Sequence, residues 1–560
     1  MSNQDVYDVV LVGTGAGGGM MAHFLATHGV KVLNLEYGAP VPTEDLGSFE
    51  MFHQAFARMP YAELQKALYE PGPESWKRSK YFIYQNECDY KTAGEGWYWR
   101  RYRNVGGRTT WWAGVSPRLS PLDFRAGSTD GFGPDWPLTY EDLEPYYDWI
   151  DINLGNAGPS IGHPDCPKGI YHKPAPLRCG ERVLQDAVYG KLTREFPLMQ
   201  CEPIRKMIAT EEMGPGRSPC YYHGACWEGC AVGARFDAAQ HLIAPALRLP
   251  NYTLRQNAVV AEVLADKNTG KAKGVRYVDR LTKQHYEAYG KVVVLAASAI
   301  ETARILLNSK STLYPSGIAN GKGQVGKHLC EQIRCLADGY LPQLYGMKSH
   351  NDDGYGGNIY MPRFTRTYQQ KAGFIRGYEV RAGSGKGING GVASFGKDLK
   401  AGIKEHYQAH LFLEAFGEKL DNPGTYVEID PSGAVDSYGI PIVKIHSALH
   451  ENDRKIFGDM QEKMRILLEA TGAKNIQIDQ VPPTPGISEH EVGTCRMGDD
   501  PKESVCNSFG QTHQVKNLFI ADGGFFTQAT EKSPTITILA LARRGADYLV
   551  EELRRGSLQT

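Results

Sequence analysis

Long apolar runs are missing from this chain of 560 residues: none reaches the roughly 18 consecutive apolar residues that a membrane-crossing helix needs. The opening MSNQDVYDVV has neither a basic stretch nor an apolar core, so no secretory leader is expected, and by its own sequence the protein belongs in the cytoplasm. An excess of one charge is missing too. With 62 basic and 63 acidic residues the formal net charge is −1, and no dense basic stripe follows a phosphate backbone, which excludes nucleic acid as an expected partner. Cysteine is scarce and odd in number, at 11, which excludes a disulfide scaffold and leaves most thiols reduced, with three or four available as ligands. Paired CxxC knuckles, the mark of a structural zinc ribbon, are absent as well.

What the chain does have is a strong opening. The apolar run Val9-Val10-Leu11-Val12 leads into Gly13-Thr14-Gly15-Ala16-Gly17-Gly18, then a helical stretch ended by Gly29, then a second short strand from Val32 to Leu35 that delivers Glu36. Glu36 lies 23 positions after Gly13, the offset of a ribose-binding acid. Gly13 permits the tight turn, Gly15 lets the backbone approach a pyrophosphate, Gly18 lets the helix pack on the strand, and the helix N-terminus offers unpaired N–H groups to the phosphates. A dinucleotide site is expected here, and the pattern alone suits FAD and NAD equally.

The length calls for more than one core. We expect an α/β protein. A Rossmann-like dinucleotide-binding domain runs over 1–340, interrupted by an insertion at about 45–103 and a cysteine loop at 218–232. A second domain of sheet backed by helices covers 341–480, with Tyr426–Ile429 among its strands, and 481–560 returns to the first domain. Asn104-Val105-Gly106-Gly107-Arg108 allows close backbone approach to a planar or phosphate-bearing ligand, and Trp111 and Trp112 can wall it in. Thr139 is the expected N-cap of a helix with an acidic first turn. Cys220, His223, Cys226 and Cys230 fall within 11 residues at C-x5-C-x3-C spacing, a compact site for a thiophilic metal or an iron–sulfur cluster, against which stand buried free thiols or one disulfide. Short strands from Tyr252 onward read as an antiparallel ribbon that returns to the nucleotide-binding sheet, and a helix starting at Ser298 should face the ligand crevice. His490, in the glycine-punctuated loop Ser488–Gly498, is a natural general base for a hydroxyl proton.

These segments together resemble the glucose-methanol-choline (GMC) oxidoreductases: Gly13–Gly18 with Glu36, Asn104–Arg108, Leu295–Arg304, His490–Gly498, Asp522-Gly523 and Ser533–Ala542 agree in order from end to end. Within that family, Trp136–Tyr147 and the cysteine loop look most like bacterial glucoside 3-dehydrogenases and the flavin subunits of sugar dehydrogenase complexes. The resemblance implies FAD, with Gly13, Gly15 and Gly18 at the pyrophosphate, Glu36 on the ribose, Gly106-Gly107 nearby and Asp522-Gly523 near the flavin. It implies oxidation of a sugar or glycoside hydroxyl, at C3 of a glucoside, with His490 as base and hydride passing to flavin N5. The alternative is an oxidase that returns electrons to oxygen, with structural cysteines. Members with covalent flavin use a histidine after the paired glycines, and Arg108–Trp112 contains none, so non-covalent FAD is expected. Cys220, Cys226 and Cys230 match the spacing of clusters in sugar dehydrogenase flavin subunits, which implies a three-iron or four-iron cluster with His223 as neighbour or extra ligand. A cytochrome-type acceptor and a small partner subunit carrying an export signal, hence periplasmic co-export, go with it. Two positions depart from the pattern. Ser533 stands where the family has Asn or His as the second polar group over the substrate, and His223 where relatives often carry a fourth cysteine.

Overall fold

The computed structural model describes residues 6–46, 81–83, 87–214, 217–222, 226–347, 359–364, 373–385 and 395–558. Most of the insertion expected at about 45–103, and His223, lie outside them.

The first sheet is built on the strand Tyr7–Val12. It pairs in parallel with Val32–Leu35 on one side and with residues 290–295 on the other, and Tyr252–Arg255 and Leu518–Ile520 extend the parallel set. Val9, Val10 and Leu11 are fully buried, as a parallel strand covered on both faces requires, which explains their unbroken apolar run. The strand His285–Leu295 serves two partners. Its second half lies in the parallel set, while its first half joins Ala272–Asp279 and Ala258–Ala265 in an antiparallel ribbon, in the order expected from sequence.

Helices cover this sheet in layers. Ala16–Thr27 packs on Thr535–Arg555, which in turn packs on Tyr140–Asn153, where the Tyr147 and Thr537 hydroxyls meet at 2.8 Å. Thr139 caps the last of these through the N–H of Asp142, and a cap of this kind contributes roughly 1 kcal/mol.

The second sheet is antiparallel, in the order Lys474–Ile478, Gln332–Tyr340, His410–Glu418, Tyr378–Ser384, Ile359–Met361, Glu202–Pro203. Two of its strands, Gln332–Tyr340 and Glu202–Pro203, come from ahead of residue 341. One face is apolar. Ile333, Cys335, Ala337, Leu411, Leu413, Ala415, Val380 and Ala382 pack with Ile456, Met460 and Leu467 of the helix Glu451–Thr471 into a separate core. The period of two then places Gln332, Arg334, Phe412, Glu414, Phe416, Glu379 and Arg381 on the opposite face.

One expectation is corrected. Tyr426–Ile429 and Val443–Ser447 do not enter the second sheet; they pair with each other, and Val443–Ser447 pairs in parallel with Tyr90–Gly94. The reason is apolar: Val427, Val443 and Ile445 bury themselves against Trp97, Trp99 and Ile300 beside the first sheet. No described helix is long and apolar enough to cross a membrane.

Candidate active site

A cavity of about 610 Å³ runs from the ends of the parallel strands to the polar face of the second sheet. At the strand end, Gly13 turns the chain with φ +94°, and a Cβ there would lie 2.3 Å from the Ala296 carbonyl oxygen. A Cβ on Gly18 would lie 2.2 Å from the Gly13 oxygen, so this glycine brings the helix onto its strand, as its position implied. Gly15 differs. A Cβ there would meet nothing within 4 Å, because Gly15 faces the cavity, and the helix that begins beside it has no side-chain cap. A cradle that only a side chain would fill, bordered by uncapped N–H groups, fits a pyrophosphate.

Glu36 is buried where the second strand ends, in the cavity wall. Its carboxylate accepts from Thr14 Oγ1 at 2.6 Å, Thr14 N at 3.1 Å and Gly38 N at 3.0 Å, while burial pushes its pKa up to about 7. The Thr14 hydroxyl also accepts from Gly106 N at 3.0 Å. This single side chain therefore ties the glycine-rich turn to the Glu36 carboxylate and to the paired glycines. Gly107 lies across from Gly15, its Cβ position 3.4 Å from the Gly15 Cα. Trp111 and Trp112 line the cavity beyond them, held through Trp111 Nε1 to Asn104 Oδ1 and Trp112 Nε1 to Phe236 O, both 2.9 Å.

Further along, the helix Ala299–Asn308 points its start at the cavity through Ser298, which is held at φ +85°. Asp522 sits beside it, accepting from Thr302 Oγ1 at 2.5 Å and Gly524 N at 2.8 Å, and burial raises its pKa to about 6. Gly523 passes so close to Glu491 that a Cβ would lie 2.7 Å from its carbonyl oxygen.

His490 faces the same cavity. Its Nδ1 lies 2.6 Å from Gln332 Oε1, and Gln332 Nε2 donates to the carbonyls of Thr530 and Lys532 at 2.7 and 2.8 Å. Two carbonyls on one end of the amide fix which end is nitrogen, so the oxygen faces His490 and Nδ1 carries the proton. Nε2 is left as the free base. Burial, then Arg381, Arg108 and Arg334, depress the imidazole's pKa to about 3, which keeps the ring neutral at physiological pH. Arg108 also anchors the histidine's loop, donating to the Glu489 carbonyl at 2.7 Å and pairing with the Glu491 carboxylate, while Arg100 pairs with Glu489 at 2.6 Å.

Ser533 lies buried at the start of the last helix, and its Oγ accepts from Arg381 Nη2 at 2.8 Å. Behind it, Lys532 and Arg363 neutralise Asp123, Glu418 and Glu531, whose carboxylate oxygens all lie within 4.8 Å of one another. Burial and the neighbouring Glu531 charge hold the Glu418 carboxyl well above its usual range; against its own burial, Arg363 and Lys532 keep Glu531 low. Two cations on three acids make this an internal ion network.

The whole chain is 32% identical to a 2-methyl-1,2-propanediol dehydrogenase of Mycolicibacterium austroafricanum, an alignment that covers 98% of this chain and 96% of the relative. Family models described as GMC oxidoreductase match residues 209–333 and 424–542. The chain belongs to the GMC oxidoreductase family. It is thus an enzyme acting on alcohol or sugar CH–OH groups, and GMC oxidoreductases bind FAD. The fructose dehydrogenase large subunit of Gluconobacter japonicus is 27% identical, over 99% of this chain and all of that one. In fold it is similar to an FAD-dependent oxidoreductase from Chaetomium thermophilum, with a TM-score of 0.64 at 15% identity, covering 98% and 100% of the two chains.

For this GMC oxidoreductase, the cavity gathers every cofactor residue named from sequence except Gly18 and Gly106, which lie just behind its wall and shape it. The cysteine loop adds no support for the expected cluster: among the described residues the only group gathered closely enough for one ion is the carboxylate trio above, and His223 lies outside them. Cys220 packs against Ala157 and Ile208 and accepts from Tyr222 N, Cys226 opens a short turn, and Cys230 accepts from Arg235 N. Thr14, Gln332, Arg334, Arg381 and Glu414 were missed. The alternation Gln332-Ile333-Arg334-Cys335 against Phe412-Leu413-Glu414-Ala415 was the readable signal of a half-polar sheet, but nothing in it told which face met the cofactor.

Proposed function

We propose that this protein oxidises a secondary hydroxyl of a sugar or glycoside to the ketone, with His490 as the base. The observation that carries the reading is the fixed tautomer of His490, whose bare Nε2 is kept neutral inside a cavity shared with a dinucleotide cradle. Gly15, Gly107, Glu36 and the uncapped helix start would hold FAD, which supplies the acceptor for the hydride that leaves the carbon. As the hydroxyl proton moves to Nε2, the Nδ1–H bond to Gln332 steadies the imidazolium that forms. The polar face of the second sheet offers Arg334, Glu414 and Arg381 to the other hydroxyls of a polyol, and Phe412 to its apolar face. From the likeness to glucoside 3-dehydrogenases, C3 of a glucoside is the position we assign. An iron–sulfur cluster is not part of this reading, because no observation on the cysteine loop supports one.

Anaerobic bleaching of the flavin, screened across glycosides and simple diols, tests the reading. A glycoside should bleach it, NMR should place the ketone at C3, and His490→Ala should bind FAD yet be reduced at least ~10²-fold more slowly. Absence of bleaching by any polyol, or near-normal reduction of His490→Ala, would sink it.

A further inference from the structure

We infer that Arg381, reaching in from the second sheet, touches the oxygen being oxidised and is the second catalytic group of this site. The inference rests on the alcohol oxidation proposed above and names the group that meets the developing charge.

Three observations point there. The Arg381 guanidinium and the His490 imidazole flank one ring: the Arg381 Cζ lies 4.3 Å from the Phe416 centroid, and the His490 centroid lies 5.8 Å from it. Both side chains line the cavity, so one small substrate can meet both. Next, the guanidinium is held from two sides. Nε donates to Glu379 Oε1 at 2.6 Å and Nη2 to Ser533 Oγ at 2.8 Å, while Nη1 has no hydrogen-bond partner among the described residues. An arginine that lines the cavity, oriented by Glu379 and Ser533 and with one nitrogen unpaired among the described residues, is preorganised for an oxygen ligand. Last, the Ser533 hydroxyl, where the second polar group was expected, accepts from Arg381, which ties that position to the guanidinium.

The chemistry follows. When the O–H bond breaks, its proton goes to His490 Nε2 and its electron pair stays on oxygen until the C=O bond forms as hydride departs to FAD. Arg381 Nη1 donates to that oxygen and carries the compensating charge. Ser533 and Glu379 act as positioning residues that orient the guanidinium.

The test compares Arg381→Met and Arg381→Lys with the parent holoenzyme on a substrate that bleaches the parent flavin. The methionine variant should keep its flavin, melt at a lower temperature because buried Glu379 loses its partner, and lose about 10²- to 10³-fold in kcat/KM, the size seen for loss of an oxyanion donor. Lysine, which restores charge without the fork, should recover at least tenfold. The pH profile adds a readout that packing alone would not move. His490 is faced by Arg381 and Arg334 from the second sheet, by Arg108 from the paired-glycine loop, and by Glu489 and Glu491 on its own loop; removing one of those cations should move the acid limb of kcat/KM upward. Should Arg381→Met lose its flavin, Arg381→Met combined with Glu379→Gln removes the buried charge together with its partner and repeats the measurement. The inference falls if flavin-replete Arg381→Met, or that double variant, keeps kcat/KM within tenfold of the parent with an unmoved acid limb. If the parent itself oxidises no polyol, it is the alcohol oxidation that has failed.

Discussion

Gln332→Leu isolates what the amide does for His490. The substitution keeps the volume and removes three bonds at once: the acceptor at 2.6 Å from Nδ1, and the donor to the Thr530 and Lys532 carbonyls. A neutral hydrogen bond contributes about 0.5–1.5 kcal/mol net, and 1.36 kcal/mol is tenfold in rate, so releasing the tautomer should slow reduction by about 3- to 10-fold. The Thr530 carbonyl becomes a buried acceptor without a donor, at about 1–3 kcal/mol, while the Lys532 carbonyl keeps only a 3.4 Å bond from Thr530 Oγ1, so the melting temperature should fall by a few degrees. Because the amide acts on the base and not on the bound polyol, the loss belongs in kcat with KM nearly unchanged. Anaerobic stopped-flow reduction at saturating substrate reads it directly. A flavin-replete Gln332→Leu reduced as fast as the parent would show that the tautomer is set some other way, and a rate as low as that of His490→Ala would show that Gln332 does more than orient.

The glycines of the first turn should separate cleanly. Gly15→Val, whose Cβ meets no protein atom within 4 Å, should give a folded protein that purifies without FAD, whereas Gly17→Ala, whose Cβ would lie 1.6 Å from the Ala521 oxygen, should be destabilised or fail to fold; circular dichroism and the flavin spectrum check both. Glu36, with its pKa raised by burial to about 7, is half protonated there in the ligand-free protein. Ribose hydroxyls donate to the ionised form, so FAD affinity should weaken as pH falls below about 7, and Glu36→Gln should bind more weakly with a flat pH dependence, read by titrating apoprotein with FAD. The same shift acts oppositely on ligand-free stability: its contribution is complete below the unfolded value near 4.5 and is lost as pH rises through about 7. For the cysteine loop, iron and acid-labile sulfide analysis of flavin-replete protein should find no stoichiometric iron, and Cys226→Ser should be reduced by substrate at the parent rate; one full cluster per chain would restore the ligand set Cys220, Cys226 and Cys230.

By itself the sequence determined the elements whose chemistry is local. Gly13, Gly15, Gly18 and Glu36 were legible because a strand, a turn and a helix start are contiguous in the chain, and a glycine's missing side chain has the same meaning in any fold. Thr139 as a helix cap and His490 in its glycine-punctuated loop belong with them. What only the tertiary structure decided is which distant segments meet. Thr14 joins Glu36 to Gly106 across 92 residues, Gln332 reaches His490 across 158, and Arg381 reaches Ser533 across 152. The register of the second sheet sets its polar face against the first domain, and no local pattern carries that choice, since either face of an alternating strand can be the buried one. The cysteine loop shows the converse. Thiols close in sequence were read as one site, and the described residues show Cys220 packed beside Ala157 and Cys226 opening a turn, without a group that gathers the three for one ion. Spacing along a loop limits which ligands can meet, while the packing of the loop's own side chains settles whether they do.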